Sequence, residues 1–180
     1  MRKTSGILLA VAMALPIGLV GIAPAGAVGG TVCAKAAGSA KFTPALPKLG
    51  STTKVIGTFT ATGTVSGCVG GGVTGGKTKT VSIKSKTGSN CATLAKPSTP
   101  TKATETITWN TGKTSTVAIS LSPIKGKPTT NQQVTGTVTA GMFKGSHQTV
   151  SILYKLAAGE CVKTGLSTVT YTSTSKSVIK

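Results

Sequence analysis

Groups able to do acid–base chemistry are scarce in this chain. Its only acidic residues are Glu105 and Glu160, and its only histidine is His147. Hydrolysis by paired carboxylates needs two acids that flank one bond, and a Ser-His-acid triad would have to use His147. Glu105 precedes an alternating apolar run, Glu160 adjoins a cysteine, and His147 falls in a turn. We therefore predict a protein without enzymatic activity.

A stretch rich in glycine and lysine matches the phosphate-binding pattern G-x-x-x-x-G-K-T at residues 71–78. The pattern binds phosphate where a strand precedes the loop and the amides of a following helix meet the phosphate oxygens. Here residues 77–84 alternate as a strand does, and the chain has no aspartate to hold magnesium. We expect neither a nucleotide nor any other cofactor.

Two further matches resemble the motifs of serine β-lactamases and penicillin-binding proteins. S-x-x-K occurs at residues 122–125, and K-T-G occurs at residues 86–88 and 163–165. In those enzymes the serine opens a buried helix. Because Pro123 and the strand-like run before Ser122 argue against a helix, we interpret this segment as the end of a strand followed by a turn.

The four cysteines, Cys33, Cys68, Cys91 and Cys161, predict two disulfides, because an even number is typical of exported domains with modest cores. Three pairings are possible. We predict Cys68 with Cys91 and Cys33 with Cys161, since this nested pattern joins the chain ends and closes one internal loop. A zinc site would need closely spaced cysteines, which the chain lacks, so we expect no metal.

Trp109 and His147 are the two residues that we single out as possible ligand contacts. Trp109, the only tryptophan, shares an apolar phase with Ile107. It either fills the core, which we favour, or stacks on a sugar ring from an exposed position. His147 lies in a turn, and loops often carry function, although a lone histidine in a turn is usually only solvated.

Two-residue periodicity dominates the chain after residue 54. Apolar or small residues alternate with threonine and lysine at residues 55–66, and similar alternation recurs around residues 81–83, 107–109, 117–121, 134–140, 150–154 and 169–171. The pattern is typical of half-buried antiparallel strands, and turn signals separate the runs. We predict an all-β fold, a single antiparallel β-sandwich with Greek-key, immunoglobulin-like connections, about seven or eight strands and two disulfides. A small β-barrel is the alternative.

The N-terminus is typical of an exported precursor. Arg2 and Lys3 precede an uncharged apolar run at residues 7–22, and residues 25–27 read Ala-Gly-Ala, a small-x-small cleavage site. The run is short for a membrane span, and no second hydrophobic segment follows. We predict that residues 1–27 are a signal peptide and that residues 28–180 form one secreted domain without an integral membrane segment, extracellular or associated with the cell wall.

Positive charge distinguishes the predicted mature chain. Of 20 basic residues, Arg2 and Lys3 fall in the signal, which leaves 18 lysines against two glutamates and a net charge of 18 − 2 = +16. Such a charge attracts polyanions. Nucleic acid is not an expected partner, because arginine and stacking aromatics are scarce. We expect anionic cell-wall polymers or polysaccharide as partners and leave the oligomeric state open.

Two segments carry a resemblance to a known group. Residues 107–115 read ITWNTGKTS and residues 136–145 read GTVTAGMFKG. With the early cysteine and residues 66–68, they make the chain similar to an uncharacterised family of small secreted β-rich proteins from actinobacteria. The resemblance extends over most of the mature chain and implies origin and location, but it transfers no site residue.

Two functional hypotheses follow. In the first, the protein is a secreted, non-enzymatic, lysine-rich β-sandwich that associates electrostatically with anionic polymers of the cell envelope or extracellular space, because dispersed lysines give salt-sensitive attachment. In the alternative, it is a specific adhesin or a carrier of a small apolar ligand. A pocket or an exposed apolar patch would favour the second hypothesis.

Overall fold

The computed structural model describes residues 29–82, 88–91, 100–127, 130–156 and 160–180. The predicted signal peptide, residues 1–27, therefore lies outside the described residues. So do Ile83 of one predicted strand and most of the K-T-G match at residues 86–88.

Strands make up almost all of the regular structure in the described parts of the chain. They are β1 Thr31–Leu46, β2 Thr58–Val69, β3 Gly75–Ser82, β4 Thr101–Trp109, β5 Thr114–Pro123, β6 Asn131–Gly141, β7 His147–Lys155, β8 Leu166–Ser173 and β9 Ser177–Ile179, and a short helix, α1, lies at Glu160–Lys163. Burial alternates along most strands because successive side chains point to opposite faces. The all-β prediction is confirmed.

The sheet closes on itself. Each strand from β1 to β8 pairs antiparallel with the next along the chain, and β8 pairs with β1. β9 lies between the same two neighbouring strands as β8, because it pairs with the start of β1 and with β7. The result is an eight-stranded antiparallel barrel. The predicted sandwich with Greek-key connections is wrong and the barrel alternative fits, because alternation marks a buried face without revealing whether the sheet closes.

β1 provides the closure, and the sequence pattern did not reveal it. This strand pairs with β2 from Val32 opposite Val69 to Thr43 opposite Thr58, and with β8 on its other edge. Its sequence is dominated by alanine, glycine and lysine, which are depleted in strands. Partners on both sides therefore specify this strand more than its own residue preferences do.

The barrel interior is filled by two clusters of side chains. The larger contains Ile107, Trp109, Phe143 and most of the buried aliphatic residues of β4 to β7. The smaller, which includes Leu166 and Val169, surrounds the disulfide-bonded Cys91. Tyr154 and Tyr171 pack against both clusters. Small closed barrels are packed with side chains in this way.

The two disulfides join Cys33 to Cys68 and Cys91 to Cys161. Two disulfides were predicted, but the predicted pairing of Cys68 with Cys91 and Cys33 with Cys161 is wrong. Cys33 on β1 and Cys68 on β2 lie opposite each other. The sequence pattern did not predict β1 as a strand, so it gave no indication that these two cysteines are neighbours. Two disulfides are compatible with an extracellular location.

Candidate functional site

The phosphate-like motif lies in a turn and a strand. Residues 70–74 turn, and β3 begins at Gly75 in place of the helix that phosphate binding requires. Lys77 is exposed on the outer surface, whereas Thr78 is buried inside the barrel. The S-x-x-K match at residues 122–125 likewise spans the end of β5 and the turn that follows.

Trp109 lies in the core. It is 2% exposed, its ring makes an edge contact with Phe143, and the ring centroids are 5.4 Å apart. Its Nε1–H donates to Ser115 Oγ at 2.9 Å, and the Ser115 hydroxyl donates to the Met142 carbonyl at 2.7 Å. A tryptophan held in this way cannot stack on a sugar that arrives from solvent, so Trp109 contributes to packing.

His147 is the first residue of β7, and its side chain is exposed. Its Nδ1 lies 3.3 Å from Thr137 Oγ1. The backbone N–H and carbonyl of His147 both pair with those of Lys180, at 2.7 and 3.0 Å. His147 therefore belongs to the outer wall of the barrel, beside the last residue of the chain.

An exposed groove of about 460 Å³ crosses this outer wall over β4 to β7, with His147 at its edge. We call it the outer groove. Its outward-facing residues form two rows in register across the strands. One row is Lys102, Ser120 and Thr135, and the other is Thr104, Ala118, Thr137 and His147. The outer groove thus combines hydroxyls with a lysine and an imidazole, and Glu105 does not line it.

Gly136 lines the outer groove and marks a close approach of two strands. A Cβ built on Gly136 would lie 2.8 Å from a methyl of Ile119 and 2.9 Å from a methyl of Val117. β6 therefore approaches the core side chains of β5 more closely than a residue with a side chain could.

A second polar cluster lies inside the barrel around Glu105. This carboxyl is buried, and its Oε2 accepts a hydrogen bond of 2.8 Å from Gln148 Nε2. Gln148 is 3% exposed, and its Oε1 has no hydrogen-bond partner among the described residues. Burial raises the pKa of the Glu105 carboxyl, and the hydrogen bond from Gln148 offsets part of that effect. In the absence of a positively charged partner, Glu105 is therefore biased toward its neutral form.

Tyr171 reaches into the same cluster across two glycines. Gly38 and Gly63 face each other on β1 and β2, and a Cβ on either would lie within 2.6 Å of the Tyr171 hydroxyl. That hydroxyl is hydrogen-bonded to the Thr78 side chain, while burial raises its pKa. Tyr154 packs edge-on against Tyr171 and has a pKa raised by burial.

A cavity of about 50 Å³ separates these polar groups from an apolar wall. Its polar lining includes Thr78, Thr80, Glu105, Gln148, Tyr171 and Ser177, and its apolar lining comes from β1 and β2 as well as from the branched aliphatic residues of β5 to β7. Sequence reasoning missed this cluster, although a signal was present. Glu105 shares the apolar phase of Ile107 and Trp109, and Gln148 shares that of Val150 and Ile152. Polar residues on a buried phase indicate an interior polar site.

The surface charge has one sign over the described side chains. Every described lysine is exposed, whereas the one glutamate side chain that the structure describes, Glu105, points into the barrel. No group of three or more metal-ligating residues occurs in the described parts of the chain. Within the same residues, no helix has the length and hydrophobicity needed to cross a membrane.

Comparisons with known proteins found no matching family model, no matching curated protein and no matching solved structure.

Proposed function

We propose that the protein is a secreted, non-enzymatic recognition module that binds anionic, hydroxyl-bearing polymers of the cell envelope or extracellular space through the outer groove. The observation that carries this proposal is the uncompensated positive surface: the described lysines are all exposed, and the described carboxyl side chain is buried. A surface of one sign attracts polyanions and orients them before contact.

The outer groove is a better recognition site than dispersed lysines, because it has a concave shape and side chains that can form directed hydrogen bonds. Its volume of about 460 Å³ is within the range of known ligand clefts, roughly 300–1,000 Å³. Lys102 supplies a point charge for a carboxylate or phosphate. The hydroxyls of Ser120, Thr135 and Thr137 suit the hydroxyls of a sugar chain. This arrangement favours the specific module over uniform electrostatic attachment.

The barrel interior is less suited to carrying an apolar ligand. Its cavity of about 50 Å³ has room for a few water-sized groups, and a buried carboxyl and a buried amide line it. We therefore place polymer recognition on the outer wall.

A pair of charge-matched variants tests the proposal. K102A removes the lysine of the outer groove, and K41A removes an exposed lysine of β1, across the barrel from β5. Binding of the exported protein to polygalacturonate is measured by sedimentation at low salt. We expect K102A to weaken binding about 10-fold, because hydrogen bonds to charged groups contribute roughly 1.5–3 kcal/mol. K41A should weaken it less than about 2-fold.

Equal losses in the two variants would show that attachment is dispersed over the surface, and they would contradict a role for the outer groove. H147A and T137A extend the test, because both residues lie in the second row of the groove. If neither changes the affinity for polygalacturonate, the groove does not contact the polymer.

A further inference from the structure

The buried Gln148 side chain has an unused hydrogen-bond acceptor. Its Nε2 already donates to Glu105, while Oε1 has no partner among the described residues, although the side chain is 3% exposed. Leaving a buried polar group without a hydrogen-bond partner is unfavourable, because the group has lost its bonds to water. Because Gln148 lines the interior cavity, a guest that donates a hydrogen bond there would compensate for that loss.

The chemistry around the cavity restricts the guest. Its size, about 50 Å³, admits only a very small molecule or ion. The Gln148 amide nitrogen already donates one N–H to Glu105, and the two strongest acceptors that remain are Gln148 Oε1 and the Glu105 carboxyl. A guest with several N–H donors and one positive charge satisfies both, since a buried carboxylate is stable only when it is paired.

We propose that the interior cavity is a binding site for a small ammonium-class cation, held between Gln148 Oε1 and the Glu105 carboxylate. The hydroxyls of Thr78, Thr80 and Ser177, which also line the cavity, provide further acceptors. Gly136 stands opposite Gln148 on β6 and places no side chain beside the glutamine. This site is separate from the outer groove.

The lysine-rich exterior does not prevent such binding. The described lysines are exposed to water, where salt screens charges over about 8 Å at physiological ionic strength. Glu105 acts on the guest at hydrogen-bond distance inside the barrel, where interactions are screened far less. The other titratable groups near the cavity, Tyr154 and Tyr171, have pKa values raised by burial and remain neutral.

Thermal unfolding in matched salts tests the proposal. The exported protein is compared in ammonium chloride, potassium chloride and tetramethylammonium chloride at equal ionic strength. Potassium has a similar size without N–H donors, and tetramethylammonium has the charge without donors. We expect ammonium alone to raise the melting temperature, by about 5–10 °C once it exceeds its dissociation constant about 100-fold. Q148L, which removes both amide atoms, should abolish the difference.

A second measurement does not depend on stability. ¹⁵N-labelled ammonium should give a bound resonance with contacts to the methyl groups of Val134 or Val150, which line the cavity, and E105Q should lose that resonance. Equal melting temperatures in the three salts, or the absence of a bound resonance in the unmodified protein, would overturn the proposal. Loss of ammonium binding with polymer binding unchanged would leave the outer groove unaffected.

Discussion

At the scale of single residues, Glu105 is the most informative position in the chain. The sequence predicted that no catalytic pair exists, and it placed Glu105 only as a residue before a strand. The structure places its carboxyl inside the barrel, hydrogen-bonded to Gln148. A chain with two acidic residues thus has one of them in its core, where desolvation governs its ionisation.

The pH dependence of stability follows from this burial. The pKa of Glu105 is raised from its ordinary value of 4.5, so between that value and the folded pKa the native state binds more protons than the unfolded state. The free energy of unfolding should therefore fall as pH rises through this window. Urea unfolding at a series of pH values should show the decline in the unmodified protein and in E160Q, but not in E105Q. A stability that rises with pH in all three proteins would contradict the assignment.

At the scale of elements, strand pairing depends on residues that have no side chain. Gly38 and Gly63 leave the space that the Tyr171 ring crosses, and Gly136 lets β6 approach β5. The sequence marked such positions only as members of an alternating run. The packing role of each glycine depends on which residue lies opposite it on the neighbouring strand. It can be recognised only when the pairing of β1, β2 and β8 is known.

A methyl group at Gly63 tests this packing. In G63A the new Cβ would lie 2.4 Å from the Tyr171 hydroxyl and 2.5 Å from the Ala37 carbonyl oxygen. We expect the variant to lose about 1–3 kcal/mol of stability through overpacking. G29A is the control, because nothing lies within 4 Å of a Cβ there. Equal stability of the two variants in urea unfolding would show that the ring does not occupy this space.

The disulfides also belong to the scale of elements, because each ties two segments of the barrel. Peptide mapping without reduction should give Cys33 linked to Cys68 and Cys91 linked to Cys161. Removing either bond by a double alanine substitution should cost about 2–5 kcal/mol, with the larger loss for C91A/C161A, whose cysteines are 70 residues apart rather than 35. A peptide that joins Cys68 to Cys91 would contradict the structure.

At the scale of the whole molecule, the sequence predicted most of the strands but did not show that the sheet closes into a barrel. Alternation predicted seven of the strands, and turn signals marked the segments between them. The barrel was only an alternative, because the alanine-rich β1 has no strand signature. The outer groove was equally hidden, since Lys102, Ser120 and His147 come together only through the register of four strands.

The positive exterior is the whole-molecule property on which the proposed function depends, and its salt dependence is the most direct test. The affinity of the protein is measured for polygalacturonate and for dextran, a neutral polymer, from low to high salt. We expect binding to polygalacturonate that weakens steeply as salt rises, because the lysine contacts are screened, and little binding to dextran. Equal affinity for both polymers, or binding to polygalacturonate that does not change with salt, would contradict the account.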